Sequence, residues 1–113
     1  MESKRQDKIN RLIQKDLSEI IRDKSKDEFF STMITVTKVS ITSDLSYARV
    51  YVSIFELKYK KEDILKLLKE KTPMLRKLLG DRERFQLRII PELMFYIDDT
   101  LDYKQRIDEL LSK

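Results

Sequence analysis

The chain has 113 residues, of which 41% are hydrophobic and 39% charged, and its 24 Lys and Arg against 20 Asp and Glu give a net charge of +4. This length predicts a single domain over residues 1–113, with short flexible ends at about 1–4 and 112–113. The absence of cysteine excludes a disulfide framework, a thiolate metal site and a cysteine nucleophile. Because the sequence has neither a signal-like start nor a long apolar run, we expect a cytoplasmic protein that binds no membrane.

The first predicted element is a helix over about residues 4–22. Its buried stripe has helical spacing and consists of Ile9, Leu12, Ile13, Leu17, Ile20 and Ile21. A sector of roughly 60° on the opposite side is purely basic, although Glu19 borders it. This sector contains Lys4, Lys8, Arg11, Lys15 and Arg22. Exposed helix faces usually alternate charges to gain pairing between successive turns, so this pattern indicates either a solvated face or a phosphate-binding surface.

Residues 23–30 are predicted to form a polar connector, with Phe29 and Phe30 expected in the core. Two β-rich runs follow, residues 33–42 and Tyr47–Phe55, and the short turn between them predicts an antiparallel hairpin.

Two tyrosines of the second run, Tyr47 and Tyr51, are expected to pack in the sheet. Base stacking is the alternative for both rings.

Helical leucine spacing on both sides of Lys71-Thr72-Pro73 predicts two helices separated by a kink. Thr72 is expected as the N-cap, Pro73 at the first helical position, and Gly80 at the end of the second helix. Cations around the kink and beyond it predict a phosphate site beside exposed helix amides. They include Lys71, Arg76, Lys77, Arg84 and Arg88.

Residues 85–97 have a period of two, which predicts a third strand with one buried face. Its buried set would be Phe85, Leu87, Ile89, Leu93, Phe95 and Ile97. Pro91 lies within this run and therefore indicates an edge strand or a bulge. A last helix is predicted to start at Asp98-Asp99-Thr100, with Asp99 as N-cap and Asp102 in the first turn. The order of elements predicts an α+β domain with a three-stranded sheet packed by helices.

Several segments together resemble the bacterial ribosome-binding factor A family. They are residues 34–39, 44–53, 75–76, 87–88 and 91–95, Asp98, and Asp102 leading to Arg106-Ile107, and the likeness runs from about residue 5 to residue 111. The resemblance implies a type II KH-like fold in the order α-β-β-α-(kink)-α-β-α. It also implies a factor, not an enzyme, that binds the free small (30S) ribosomal subunit and its 16S rRNA during late maturation. Family members assist processing of the 5′ end and support assembly in the cold.

The kink departs from the family pattern, which usually has Ala-x-Gly where this chain has Lys71-Thr72-Pro73. Pro73 cannot adopt a positive φ and cannot donate an N–H to a phosphate. Thr72-Pro73 can still restart a helix, so we expect the kink to remain, with Lys71 as the side chain that can compensate. The connector over residues 27–32 also departs from the pattern.

The phosphate contacts expected for this function are predicted to meet on one RNA-facing surface. They are Lys4, Lys8, Arg11, Lys15, Arg22, Lys71, Thr72, Arg76, Lys77, Arg84 and Arg88. For Arg76 and Arg88 the alternative is surface pairing with Glu92 or Asp81. No cofactor, metal or small-molecule substrate is expected, and the chain is expected to be a monomer.

Two functions of other kinds remain open. Asp98, Asp99 and Asp102 could hold Mg²⁺ in a nuclease or phosphotransferase, although their spacing suits helix capping equally well and the chain has no His or P-loop. The other is a binding module, either a general KH-type RNA-binding domain or a protein-interaction domain whose basic face meets an acidic partner.

Overall fold

The computed structural model describes residues 3–55 and 58–98, which form three helices and three strands. In chain order the elements are α1 (Lys4–Glu28), β1 (Met33–Ile41), β2 (Tyr47–Phe55), α2 (Lys61–Glu70), α3 (Thr72–Glu83) and β3 (Glu92–Ile97). The sheet order is β1-β2-β3, with β1 antiparallel and β3 parallel to β2. A parallel neighbour requires a crossover, and α2 and α3 supply it. The predicted α+β, KH-like arrangement is confirmed; the predicted last helix, including Asp99 and Asp102, lies outside the described residues.

The core lies between one face of the sheet and the helices. Along β2, Ala48, Val50 and Val52 are fully buried at alternate positions, as the sequence pattern predicts. On the opposite face, Tyr51 stacks on Tyr96 with 5.6 Å between ring centroids, which confirms sheet packing for Tyr51.

The start of α1 is fixed by a capping box. The Ser3 hydroxyl accepts from the backbone N–H of Gln6 at 3.1 Å, and the Gln6 side chain accepts from the N–H of Ser3 at 3.0 Å. Two N–H groups at the helix start thereby gain partners.

The helix continues to Glu28, so the prediction of a connector over residues 23–30 was wrong. The chain reverses at Phe30 and Ser31, whose φ angles are 53° and 58°. Ser25 stabilises this reversal, since its hydroxyl donates to the carbonyl of Thr32 at 2.8 Å. Phe29 is buried as expected, whereas Phe30 is 60% exposed and stacks on Tyr59.

The kink between α2 and α3 is confirmed, but its capping is not the predicted one. Lys71 occupies the N-cap position of α3, and the Thr72 hydroxyl donates to the carbonyl of Leu68 at 3.0 Å. Pro73 lies in the first turn, where its missing N–H has no consequence. Gly80 does not end α3; a Cβ there would lie 3.4 Å from Cγ1 of Ile90, so the glycine allows that side chain a close approach.

The predicted strand over residues 85–97 is wrong in its first half, because β3 begins at Glu92. The N–H groups of Gln86 and Leu87 both donate to the carbonyl of Glu83 at 2.9 Å, which turns the chain after α3. Leu93 and Phe95 are buried in line with the predicted parity. β3 lies at the edge of the described sheet, as Pro91 indicated.

An ion cluster joins α3 to α1. The Arg82 guanidinium bonds Glu19 at 2.5 Å and lies 3.7 Å from the carboxylates of both Asp16 and Asp23. Its hydrogen bond holds the pKa of Glu19 below the usual range. The next residue, Glu83, is fully buried, and neither of its carboxylate oxygens has a hydrogen-bond partner in the described part of the chain. Burial, and then the neighbouring Asp16, raise the pKa of Glu83 to about 8.

Glu83 should therefore make stability depend on pH. Its folded pKa of about 8 exceeds the ordinary value of 4.5, so its stabilising contribution is complete below pH 4.5 and is lost as the pH rises towards 8. Glu83→Gln stays neutral throughout and should raise the free energy of unfolding at pH 8 by roughly 3 kcal/mol more than at pH 5. Urea unfolding at the two pH values measures this difference. Exposed Asp81→Asn on the same helix is the control, and an equal effect of Glu83→Gln at both pH values would contradict the assignment.

Candidate nucleic-acid interface

Two flanks of α1 are occupied by contacts within the fold. Towards β1, Gln6 and Gln14 donate side-chain N–H groups to backbone carbonyls at 3.1–3.3 Å, and Asn10 accepts from the N–H of Ile41 at 2.8 Å. Towards α3, Asp16, Glu19 and Asp23 lie at Arg82. The outward side of α1 that lies between these two flanks is the basic sector predicted from the sequence.

We call this sector the α1 ridge. It consists of Lys4, Lys8, Arg11, Lys15 and Arg22, all of which are exposed. None of the five forms an ion pair with a residue that the structure describes. Glu19, which borders the ridge in the sequence, forms its ion pair with Arg82. The ridge is therefore a row of exposed cations on one side of α1, bordered by Glu19 between Lys15 and Arg22.

The segment between α3 and β3, residues 84–91, meets the N-terminal half of α1 at a cleft of about 750 Å³. We call the two features the 84–91 loop and the α1–loop cleft. Three cations line the cleft, Arg5, Lys8 and Arg88, and none of the described lining residues is acidic. Its other lining residues are Ile9, Leu12, Leu45, Gln86, Leu87 and Ile89. The fold thus brings Arg88 from the far part of the sequence to the α1 ridge.

The kink lies elsewhere. Lys71 pairs with Glu28 at 2.9 Å, at the C-terminal end of α1. Glu28 is 20 residues beyond Lys8, about 30 Å along a helix that rises 1.5 Å per residue. The Thr72 hydroxyl is already engaged with Leu68. The kink residues and the N-terminal part of the ridge are therefore at separate places, and the structure does not bring the whole predicted set to one point.

Arg76 has partners within the fold. Its guanidinium donates to the carbonyls of Ile90 at 2.8 Å and Pro91 at 3.1 Å, and lies 3.6 Å from the carboxylate of Glu92. The alternative of a pair with Glu92 is thus confirmed for Arg76. These bonds fix the end of the 84–91 loop and the start of β3.

The last two predicted residues, Lys77 and Arg84, are both exposed. Lys77 lies beside Pro73 and Gly80 on the outer side of α3. The Arg84 guanidinium lies over the ring of Phe85, 4.7 Å from its centroid.

Phe85 was missed as a candidate site residue because the period-two pattern assigned it to the core. In the structure its side chain is 87% exposed. An aromatic residue directly after Arg84 and three residues before Arg88 is the signal in the sequence that could have identified it.

The described residues do not support the alternative of a Mg²⁺ site built from Asp98, Asp99 and Asp102. Asp98 accepts a hydrogen bond from the Thr37 hydroxyl at 2.6 Å, at the point where the β1–β2 register shifts, and its N–H donates to Val52. Asp99 and Asp102 lie outside the described part. Within residues 3–55 and 58–98, no group of three or more His, Cys, Asp or Glu is placed to hold a metal ion. None of the helices in those ranges combines the length and apolar composition that a membrane crossing needs.

A family model, ribosome-binding factor A, matches residues 5–111 of this chain. The ribosome-binding factor A of Cytophaga hutchinsonii is 48% identical over 113 residues, which cover 100% of this chain and 84% of that protein. That of Flavobacterium johnsoniae is 46% identical over 113 residues, covering 99% of this chain and 86% of the relative.

A crystal structure and a homology model fitted into a cryo-EM map are similar to this fold. The crystal structure of ribosome-binding factor A from Thermus thermophilus has a TM-score of 0.67 at 25% identity, covering 81% of this chain and 94% of that one. A homology model of the T. thermophilus protein, fitted into the cryo-EM map of a complex of 30S with ribosome-binding factor A, has a TM-score of 0.62 at 28% identity. It covers 77% of this chain and 88% of that one.

Removing the Arg76 side chain should destabilise the fold. Arg76→Ala loses two charge-assisted bonds to carbonyls, and because the side chain is 40% exposed we expect a loss of only about 1–2 kcal/mol in the free energy of unfolding. Arg76→Lys should recover little of this, since an ammonium does not reproduce the planar fork of donors. Urea unfolding measures both variants against Lys77→Ala, an exposed neighbour expected to change stability by less than about 0.5 kcal/mol. Equal stability of Arg76→Ala and Lys77→Ala would contradict a structural role for Arg76.

Proposed function

Since the chain belongs to the ribosome-binding factor A family, we propose that it binds the small ribosomal subunit through that subunit's 16S rRNA. The T. thermophilus family member placed in a 30S complex shares 28% identity with this chain, and this supports the same partner here. We further propose that the protein acts in the cytoplasm, without catalysis, during late maturation of the subunit and processing of the 5′ end of its rRNA.

The α1 ridge is the observation that carries this proposal. Phosphate contacts require cations that are exposed and not neutralised within the fold, because they must displace the counterions of RNA. The ridge meets both conditions within the described structure. Contacts of this kind fix position and affinity rather than sequence preference, which suits a protein that recognises one large folded RNA.

Arg88 extends the proposed interface beyond α1, because it shares the α1–loop cleft with Lys8. Arg84 and Lys77 are exposed cations on the α3 side and are included as outer contacts. Lys71, Thr72 and Arg76 contribute less in this proposal, since their polar groups already have partners in the fold.

Small-subunit binding should depend on the ridge. We expect the wild-type chain to migrate with free small subunits in a sucrose gradient, and Arg11→Glu/Lys15→Glu to remain at the top, because two phosphate contacts become repulsive. The matched control is Lys60→Glu/Lys66→Glu, which makes the same change in net charge at exposed positions near and on α2. Nuclease treatment of the subunits distinguishes RNA from an acidic protein partner. Equal migration of the two double variants would contradict the assignment of the interface to α1.

The affinity should also depend strongly on salt. If about five phosphates are neutralised, binding should weaken roughly 10²–10³-fold between about 50 and 200 mM salt. Arg11→Ala should reduce the slope of log K against log salt by about one contact. Titration of purified small subunits at several salt concentrations measures this, and a nearly flat dependence would exclude a phosphate-based interface.

A further inference from the structure

The 84–91 loop presents an aromatic surface that phosphate binding does not explain. Phe85 is the most exposed of the large hydrophobic side chains that the structure describes, at 87%, and Ile89 in the same loop is 58% exposed. A single exposed ring is common at protein surfaces, so whether it marks a ligand site depends on the groups around it.

The charges around this ring indicate what the ligand is. The Arg84 guanidinium lies 4.7 Å from the ring centroid. The residues directly after Phe85 line the α1–loop cleft, where Arg5, Lys8 and Arg88 meet without an acidic residue among the described lining. An exposed aromatic face beside a cationic groove is the combination that binds single-stranded nucleic acid, since the ring stacks on a base and the cations contact the adjacent phosphates.

We propose that Phe85 and the α1–loop cleft form a subsite for unpaired nucleotides of RNA. One base stacks on the Phe85 ring, and the flanking phosphates contact Arg88, Lys8 and Arg5. A base inside a duplex is stacked on its neighbours and cannot cover the ring, so the subsite selects single-stranded segments. This inference rests on the proposed function and adds to it the kind of RNA that the protein recognises.

A second copy of the chain fits this surface less well. It would bring its own cations to a surface that already carries four, and like charges oppose such contact.

Two parts of the cleft lining, the end of the 84–91 loop and the hairpin tip, are held by contacts within the fold. Arg76 fixes the carbonyls at the end of the 84–91 loop. On the other side, Leu45 lines the cleft from the hairpin tip, where Asp44 accepts from Thr42 at 2.8 Å and from the N–H of Ser46 at 3.1 Å. A preformed site of this kind loses little conformational entropy on binding.

The experiment compares two RNA probes on the full chain by fluorescence anisotropy. One probe is a labelled oligouridylate of about 12 nucleotides, a length within the range of single-stranded binding sites, and the other is an RNA duplex of the same length. Phe85→Ala should weaken oligouridylate binding by about 10-fold and leave duplex binding unchanged, whereas Phe85→Trp should retain wild-type binding. The matched control is Phe55→Ala, which removes an aromatic ring that is 60% exposed at the far end of β2 and should change neither affinity.

Three results would overturn the subsite. They are unchanged oligouridylate binding by Phe85→Ala, an equal loss for the duplex, and a fall in thermal stability of Phe85→Ala, which would show that another part of the chain covers the ring. Wild-type migration with small subunits is measured in parallel. If it occurs while Phe85→Ala binds oligouridylate normally, only the subsite fails; if it is absent while the Phe85 effect is present, only the ribosomal assignment fails.

Discussion

Arg82 on α3 reaches the carboxylates of Asp16, Glu19 and Asp23 on α1, and this ion cluster occupies the flank of α1 that faces α3. Exposed ion pairs add little stability singly, but here three of the acidic residues of α1 lie at one guanidinium on a single flank. The opposite flank is engaged by amide side chains with β1. The cationic residues between the two flanks therefore have no ion-pair partner in the described structure, and the proposed RNA interface on α1 depends on that separation of charge.

Contacts within the fold distinguish the arginines that stabilise the structure from those that are open to a ligand. Residue type alone does not make this distinction. Arg76 and Arg82 are both arginines near the predicted site, yet each is bound to oxygens of its own fold. Arg88 and Arg84 lie in the 84–91 loop, one lining a cleft and the other covering an aromatic ring. An arginine with fixed internal partners stabilises the fold, and one without them remains available to a ligand.

Much of the fold could be predicted because local signals agreed with the tertiary structure. Alternation in Tyr47–Phe55 and the turn before it specified the hairpin, and the apolar stripe of α1 specified its buried face. The site could be predicted where exposure follows from helical period alone, as for the five ridge residues. That these residues contact RNA stays a prediction.

The remaining features depended on contacts between distant residues. Gly80 predicts a helix end, but it lies inside α3, where a Cβ would lie 3.4 Å from Cγ1 of Ile90. The polar sequence after Arg22 predicted a connector where six further residues are helical. The chain reverses only after them, through positive φ at Phe30 and Ser31, and these residue types do not predict that conformation. The alternation of apolar residues over 85–91 does not correspond to a strand. The carbonyls of Ile90 and Pro91 accept from Arg76 and not from a neighbouring strand.

The α1–loop cleft joins parts of the chain that are about 80 residues apart, so forming it closes a long loop of chain. The entropy of closing such a loop is recovered only through the contacts of the folded state, and the two walls are together only in that state. A ligand held between these walls therefore recognises the completed fold alone, and by mass action it stabilises that state over partly folded ones. A ligand bound in the cleft would thus indicate that the chain has folded completely.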